Sequence, residues 1–325
     1  MFNAWSESQF SLSLIIAPFS VLHGRWSRLA PNVRGALWLV LAGFVLISMN
    51  SLVKSFGARL PAAELLFCRG LFGTMFLLPI VIGRGWRSVA TQHPWMHLLR
   101  TSFGTASMFG VFYAVTHLPL ADATAILFSN PLFATVFAAL ILRETVGWRR
   151  AVATLVGFAG VLVMIRPGAE SIAPAALVAI MAAMLTGALA IIIRRLSGKD
   201  APYVIIFWFT TVGSLMALPA ALIFWVPPQA GDWPLLVLIG LLGLIGQSAF
   251  TFAFSTGESS AVAPFDYLRL ILAGVFGYVF FAELPDVWSL TGAAIIMAST
   301  FYIMRREARL NRERRAMAQS LAAKP

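Results

Sequence analysis

The chain is poor in the residues that disulfide frameworks, metal centres and soluble surfaces are made from. A single cysteine in 325 residues, Cys68, cannot build a disulfide framework or a Cys-rich metal site. The four histidines, His23, His93, His97 and His117, are scattered and form no HExxH pair. No GxSxG elbow and no phosphate-cradling Gly–Lys loop occurs. Charge is scarce too: Asp, Glu, Lys and Arg make up 11% of the chain, against the ~25% usual in soluble domains. These absences argue against a secreted disulfide-stapled domain, a Cys/His metalloenzyme and an ordinary soluble fold. They leave no paired catalytic constellation, so neither an enzyme nor a cofactor or metal is expected.

What is present is apolar length. Hydrophobic residues make up 59% of the chain, and mean hydropathy is +0.84. Counting runs of roughly 20 mostly apolar residues predicts an all-α integral membrane protein with ten transmembrane helices. They fall over 35–55, 62–82, 95–116, 120–142, 148–166, 173–193, 202–224, 233–255, 260–282 and 286–304. Connections such as "THLPLAD" and "AELPD" are too short to hold a soluble domain. The run "SLSLIIAPFSVL" at 11–22 is shorter, is broken by Pro18, and has its arginines after it instead of before it. That order is wrong for a signal peptide. Residues 1–34 are expected to be a cytoplasmic leader, disordered or interfacial, with an uncleaved extra segment as the alternative.

The net charge of +11 is explained by where the cations lie. With the amino terminus in the cytoplasm, inside segments carry Arg25, Arg28, Arg34, Arg84, Arg87, Arg143, Arg149, Arg150, Arg194, Arg195 and Lys199. The tail over 305–325, "RREARLNRERRAMAQSLAAK" followed by Pro325, adds more, while outside loops hold only Lys54, Arg59 and Arg166. This positive-inside bias predicts a multi-pass protein of the cell inner membrane with both termini cytoplasmic. The basic tail is read as a topology signal near anionic lipid, and no nucleic-acid partner is expected.

The sequence also matches itself at an offset of 139, the difference between Glu283 and Glu144. At that offset "ALILRE" falls on "YVFFAE", Ala62-Ala63 on Ala201-Pro202, "FYA" on "TFA", and Ala153 and Gly160 on Gly292 and Ser299. One offset serving four helices points to duplication. A unit of five spans, an odd number, must enter the membrane from opposite sides in its two copies. The expectation is two inverted repeats, 35–168 and 173–304, the plan by which many secondary transporters expose one central site alternately to either side.

Residues 117–168, "HLPLADATAILFSNPLFATVFAALILRETVGWRRAVATLVGFAGVLVMIRPG", resemble the first repeat of EamA-type transporters of the drug/metabolite transporter superfamily. The carried elements are Pro119-Leu120-Ala121, Pro131, Glu144, Gly157 and Gly160, with Arg69 matching the arginine usual in the family's second span. Glu283 and Gly292 match in the second repeat. Span nine departs from the family: its mid-helix proline gives way to "APFDYLRL", residues 263–270, with Pro264 near the helix start. That segment is similar to a branch that includes bacterial S-adenosylmethionine uptake carriers. The resemblance implies a ten-helix carrier of small organic solutes and fixes neither cargo nor direction.

The polar residues inside the spans are the site candidates, since each charge at a helix centre costs at least ~2.5–3.5 kcal/mol on insertion scales. Asp266 and Arg269, three apart, share a helix face near mid-membrane. They are either an internal salt bridge or a pair lining a central cavity against a polar or zwitterionic substrate, and the second is the expectation. Asn130 occupies Arg269's position in the first repeat, and Pro131 beside it frees a carbonyl one turn back. Arg69 fits a structural arginine or a ligand. Asn50, Gln247 and Tyr113 fit interhelical bonding or cavity lining. Arg100 lies close enough to a helix end to snorkel outward and is set aside. Glu144 and Glu283 end equivalent helices on opposite faces and fit gates or caps.

The sequence therefore predicts an alternating-access carrier of S-adenosylmethionine or a related zwitterion. Amino-acid or metabolite export and riboflavin-type uptake are the alternatives within the family. A non-transporting scaffold or receptor is the alternative outside it. The partners expected are a small-molecule substrate and the lipid bilayer, and the sequence fits a monomer or a homodimer equally.

Overall fold

A computed structural model describes residues 29–57, 59–141, 147–166, 173–196, 200–257 and 262–322. The apolar run at 11–22 and Glu144 lie outside the described residues. The described residues form helices and no strand. In chain order the helices are α1 Pro31–Phe56, α2 Ala62–Arg84, α3 Pro94–His117, α4 Leu120–Leu127, α5 Asn130–Ile141 and α6 Trp148–Ile165. They continue as α7 Pro174–Leu196, α8 Pro202–Ile223, α9 Trp233–Thr256, α10 Leu268–Phe281 and α11 Val287–Ala322.

Eight segments are long and apolar enough to cross a membrane: α1, α2, α4 with α5, α6, α8, α9, α10 with the turn before it, and the first part of α11. The expected spans at 95–116 and 173–193 do form helices, α3 and α7, but miss that criterion. In α3 the cause is a polar face of His97, Arg100, Thr101, Thr105 and Ser107, all turned into the bundle and buried. In α7 the part whose side chains are described, Pro174–Leu189, is apolar but shorter than the criterion's 18 residues. Ser107 donates to the Ala182 carbonyl at 2.9 Å and shares a 2.7 Å hydrogen bond with Thr186, so the polar face of α3 is tied to α7.

Three expected spans differ in detail. The one at 120–142 is two helices, α4 and α5, parted by a turn at Phe128-Ser129. The one at 260–282 opens, in its described part, with a 3-10 turn over Ala263–Tyr267 before α10 begins. The last continues past residue 304 to Ala322, because the tail is rich in good helix formers and gains an Arg309–Glu313 pair at 2.9 Å, one turn apart.

Packing is pairwise: α1 lies on α9, α3 on α7, α2 on α8 and α6 on α11. Further contacts join α2 to α9, α3 to α8, α5 to α7, α10 to α1 and α4 to α10. The α6–α11 crossing is the tightest kind, backbone against backbone. A Cβ on Gly160 would sit 2.9 Å from the Ile295 Cβ and 3.0 Å from the Gly292 carbonyl oxygen.

The two ends of the bundle are tied differently. At the end holding the C-termini of α1, α3, α6 and α10, Lys54 pairs with Glu283 at 2.8 Å. There Arg59 grips Asp232 through two bonds of 2.7 and 2.6 Å, and Arg166 pairs with Asp286. At the other end Asp200 accepts from Thr91 and bonds His97, both at 2.8 Å. Trp208 donates to the Val89 carbonyl there at 3.1 Å. Burial opposes ionisation of Asp200, but its bonds to His97 and Thr91 outweigh that and hold its carboxyl below the ordinary value.

Two measurements of thermal stability check these contacts. Gly160→Val should destabilise the purified protein by ~1–3 kcal/mol through overpacking. Gly83→Ala, where an added Cβ meets nothing within 4 Å, should be neutral or slightly stabilising. Equal melting temperatures for wild type and Gly160→Val would contradict the close crossing. For Asp200 the depressed folded pKa means its contribution is present above the unfolded value, ~3.9. It is lost as pH falls through the lower folded value. The melting gap between wild type and Asp200→Asn should therefore hold at pH 5 and shrink below about pH 4, and a gap unchanged through that window would rule out an ionised tie.

Candidate functional site

The candidate site begins where helical order stops. The tighter 3-10 turn over Ala263–Tyr267 carries Asp266 on its fourth residue, and α10 starts at Leu268 with Arg269 as its second. An Arg269 terminal nitrogen lies 3.3 Å from Asp266 Oδ2, and each side chain is 21% exposed. Asp266 Oδ1 is buried without a partner. The pair is thus loosely closed, and one carboxylate oxygen remains unused. Arg269 also packs its backbone side on Gly43 of α1 and sets its guanidinium 5.0 Å from the Phe128 ring centre.

Phe128 belongs to the other irregular stretch. It stacks on Tyr267 at 5.4 Å, and the Tyr267 hydroxyl donates to Thr300 of α11 at 2.6 Å. The break in α4–α5 and the start of α10 therefore meet ring to ring. Pro131, second residue of α5, has no N–H to give the Leu127 carbonyl, and the Asn130 side chain fills the vacancy at 3.0 Å. Asn130 thus does local repair in a broken helix.

Arg69 and Arg100 lie apart from this pair. Arg69 is 5% exposed and Arg100 6%, which overturns the expectation that Arg100 snorkels to the surface. Its guanidinium turns inward, 5.2 Å from the Phe209 ring centre, and that of Arg69 lies 5.7 Å from the same ring. Gly243 of α9 makes room for Arg69: a Cβ there would lie 2.7 Å from its Nε. Gln247 sits one turn further along α9 on the same face and is partly buried. Asn50 is buried in α1, seven residues and two turns beyond Gly43, with its Oδ1 unpartnered. Tyr113 stacks on His117 at 4.2 Å near the end of α3.

Glu283 closes one end. Ala282 takes a left-handed conformation (φ 54°) that ends α10 and turns the next residue back over the bundle. The Glu283 carboxylate then meets Lys54 of α1 and accepts from the Leu120 N–H, first of α4, at 2.8 Å. That N–H is an unpaired helix-start donor, where negative charge is favoured. Lys54 in turn donates to the Val115 and Leu118 carbonyls at 3.2 and 2.5 Å. One ion pair thus joins α1, α3, α4 and the end of α10.

Of the sequence candidates, Asp266 with Arg269 and Glu283 with Lys54 are brought into contact, while Arg69 joins Arg100. Sequence reasoning missed Arg100, Phe128 and Phe209. The signal for Arg100 was the run of small polar residues after it, Thr101, Ser102, Thr105 and Ser107, which marks an inward face. Nothing in the sequence marks the two phenylalanines among 26.

A model of the EamA-like transporter family matches twice, over residues 33–166 and 173–305. An S-adenosylmethionine uptake transporter of Rickettsia prowazekii (strain Madrid E) is 32% identical over 273 residues, 84% of this chain and 92% of that protein. A pseudopaline exporter of Pseudomonas aeruginosa (strain UCBPP-PA14) is 33% identical, covering 83% of this chain and 96% of its own. A riboflavin transporter of Rhizobium johnstonii is 32% identical, with 86% and 94% covered. A solved crystal structure at 21% identity and TM-score 0.57, covering 83% of this chain and 97% of that one, shows the shared fold alone. Two consecutive family matches, with relatives above 30% identity along more than four-fifths of the sequence, make this chain a member of the EamA-like transporter family.

Proposed function

We propose that the protein is a secondary transporter of S-adenosylmethionine or a closely related zwitterion, working by alternating access in the inner membrane with both termini cytoplasmic. The observation that carries the reading is the Asp266–Arg269 pair, set in irregular backbone with a carboxylate oxygen unused. Irregular backbone at membrane depth is tolerated where it lines a cavity. The cargo chemistry fits: a sulfonium and an ammonium suit Asp266, and a carboxylate suits a guanidinium. Riboflavin, which is neutral, gives the pair no matching charge. It remains the second reading because the riboflavin relative is as similar as the S-adenosylmethionine one.

Ten spans in two inverted repeats are part of the proposal, and the helix pairing supports them. Count α4 with α5 as span four and the 3-10 turn with α10 as span nine. Exchanging each span with the one five places away turns the contact of spans one and eight into that of six and three. It likewise turns two and eight into seven and three, and four and six into nine and one. Spans two and seven, five and ten, and four and nine pair with their own counterparts. At the offset of 139, Phe128 corresponds to Tyr267, and these two rings stack on each other.

In this reading the Glu283–Lys54 clasp is the closed outer gate. Single cysteines, in a background with Cys68 replaced by Ala, test gate and orientation together. Leu284→Cys should react with an impermeant maleimide on intact cells, and Arg309→Cys only after permeabilisation. Glu283→Gln should speed labelling of Ala123→Cys, buried one turn inside the clasp. An unchanged rate would reduce Glu283 to a helix cap, and labelling of Arg309→Cys in intact cells would reverse the topology.

Counterflow in proteoliposomes tests the function, since only a carrier exchanges labelled for unlabelled S-adenosylmethionine. The pair is tested in the same assay. A purely structural buried ion pair costs ~3–5 kcal/mol to break singly, while replacing both partners is often neutral. That alternative predicts an Asp266→Asn/Arg269→Gln double variant that folds and transports. The proposal predicts one that folds and does not exchange, with each single variant binding at least ~tenfold more weakly. Wild-type uptake by the double variant would refute the site. Exchange of riboflavin and not S-adenosylmethionine by the wild type would move the cargo to the second reading.

A further inference from the structure

Two guanidinium groups meet one aromatic ring inside the bundle, and the described residues offer them no carboxylate. Arg69 comes from α2, Arg100 from α3 and Phe209 from α8, with the guanidinium carbons 5.7 and 5.2 Å from the ring centre. Both side chains are more than nine-tenths buried. Arg69 Nε, Arg100 Nε and Arg100 Nη1 are buried without a hydrogen-bond partner, and so is the neighbouring Thr101 hydroxyl. Asp200 is already engaged by Thr91 and by His97, one turn before Arg100 in α3.

A structural arginine in a membrane bundle satisfies its donors on carbonyls or a carboxylate, and these two do not. A ring face attracts a cation, but two cations on one ring also repel each other, and Arg69 Nε, Arg100 Nε and Arg100 Nη1 still lack a hydrogen-bond partner. Gly243 leaves space at Arg69 that any other residue would fill. The missing component is an anion with several acceptor lone pairs, and a planar carboxylate matches the guanidinium fork.

We propose that Arg69 and Arg100, gathered on Phe209, form an anion subsite that takes a carboxylate. Given the transporter reading above, on which this last step rests, that carboxylate belongs to the cargo. The cargo class is then one whose acidic group is held at α2, α3 and α8 while Asp266 faces a cationic group.

The test uses the full-length protein in detergent and follows its melting temperature with benzoate and with benzamide, its uncharged near-isostere, at matched ionic strength. Benzoate should raise the melting temperature of the wild type more than benzamide does. The difference should vanish in Arg69→Gln/Arg100→Gln. Arg100→Lys, which keeps the charge but loses the fork, should bind benzoate at least ~tenfold more weakly than wild type. Equal shifts from benzoate and benzamide in the wild type overturn the subsite, and this arm needs no variant to fold. A benzoate preference that persists in the double variant overturns it as well. Because benzoate is not the proposed cargo, the subsite and the S-adenosylmethionine assignment fail separately.

Discussion

Hydrocarbon offers no hydrogen bonds, and that constraint shapes every unusual feature of this chain. Each backbone group that leaves helical pairing within the membrane must find another partner or face a cavity. The α4–α5 break meets the demand locally, with the Asn130 side chain taking the carbonyl that Pro131 cannot serve. The 3-10 turn before α10 is braced by Tyr267, which bonds Thr300 and stacks on Phe128. The two irregular stretches support one another, so the bundle can hold broken helices where a lone broken helix would not persist. What remains unsatisfied among the described residues is informative for the same reason. Unused polar atoms on Asp266, Arg69, Arg100 and Asn50 lie inside the bundle, where an idle donor or acceptor is costly.

Much of this was legible in the sequence because membrane spans obey a length rule. Helical segments occupy the ten expected places, eight of them long and apolar enough to cross a membrane. The offset of 139 aligns the two irregular stretches, since Phe128 and Tyr267 differ by it. The Asp266–Arg269 contact followed from a spacing of three. The breaks did not follow, because Pro131 announces a disruption without fixing whether the helix bends, tightens or stops. Arg100 was misplaced for a related reason. Its distance from the helix start is compatible with snorkelling, and only the helix rotation, set by packing on α7 and α8, turns it inward. Glu283 was recognisable as a helix end, but its partners, Lys54 and the Leu120 N–H, are 229 and 163 positions away in sequence. Such contacts depend on how helices are arranged, which periodicity does not encode.

In the proposed reading the arrangement also links the irregular stretches to the end of the bundle that Glu283 closes. Arg269 is the second residue of α10, and Glu283 folds back over its last turn, where the Glu283 N–H bonds the Gly277 carbonyl at 3.0 Å. About 18 Å of helix, from Arg269 to Phe281, lies between the two ends. Such a helix transmits displacement far more readily than it compresses. In the proposed reading a ligand that shifts Asp266 and Arg269 would therefore also move the Glu283 carboxylate, which bonds α1 and α4 and, through Lys54, the end of α3. The energies are matched to that task. The Lys54–Glu283 pair, with side chains 10% and 23% exposed, lies between an exposed pair, worth ~0–1 kcal/mol, and a buried one, which costs ~3–5 kcal/mol to break. Driving a two-state equilibrium from one extreme to the other takes about 5.5 kcal/mol of differential binding, within reach of a small charged ligand that completes two unfinished sites. A clasp much stronger than this would hold the outer end shut whatever was bound, and one much weaker would leave both ends open together. Breakable ties at the ends, with unsatisfied polar atoms in the middle, are the distribution of energy that the proposed alternating access would require.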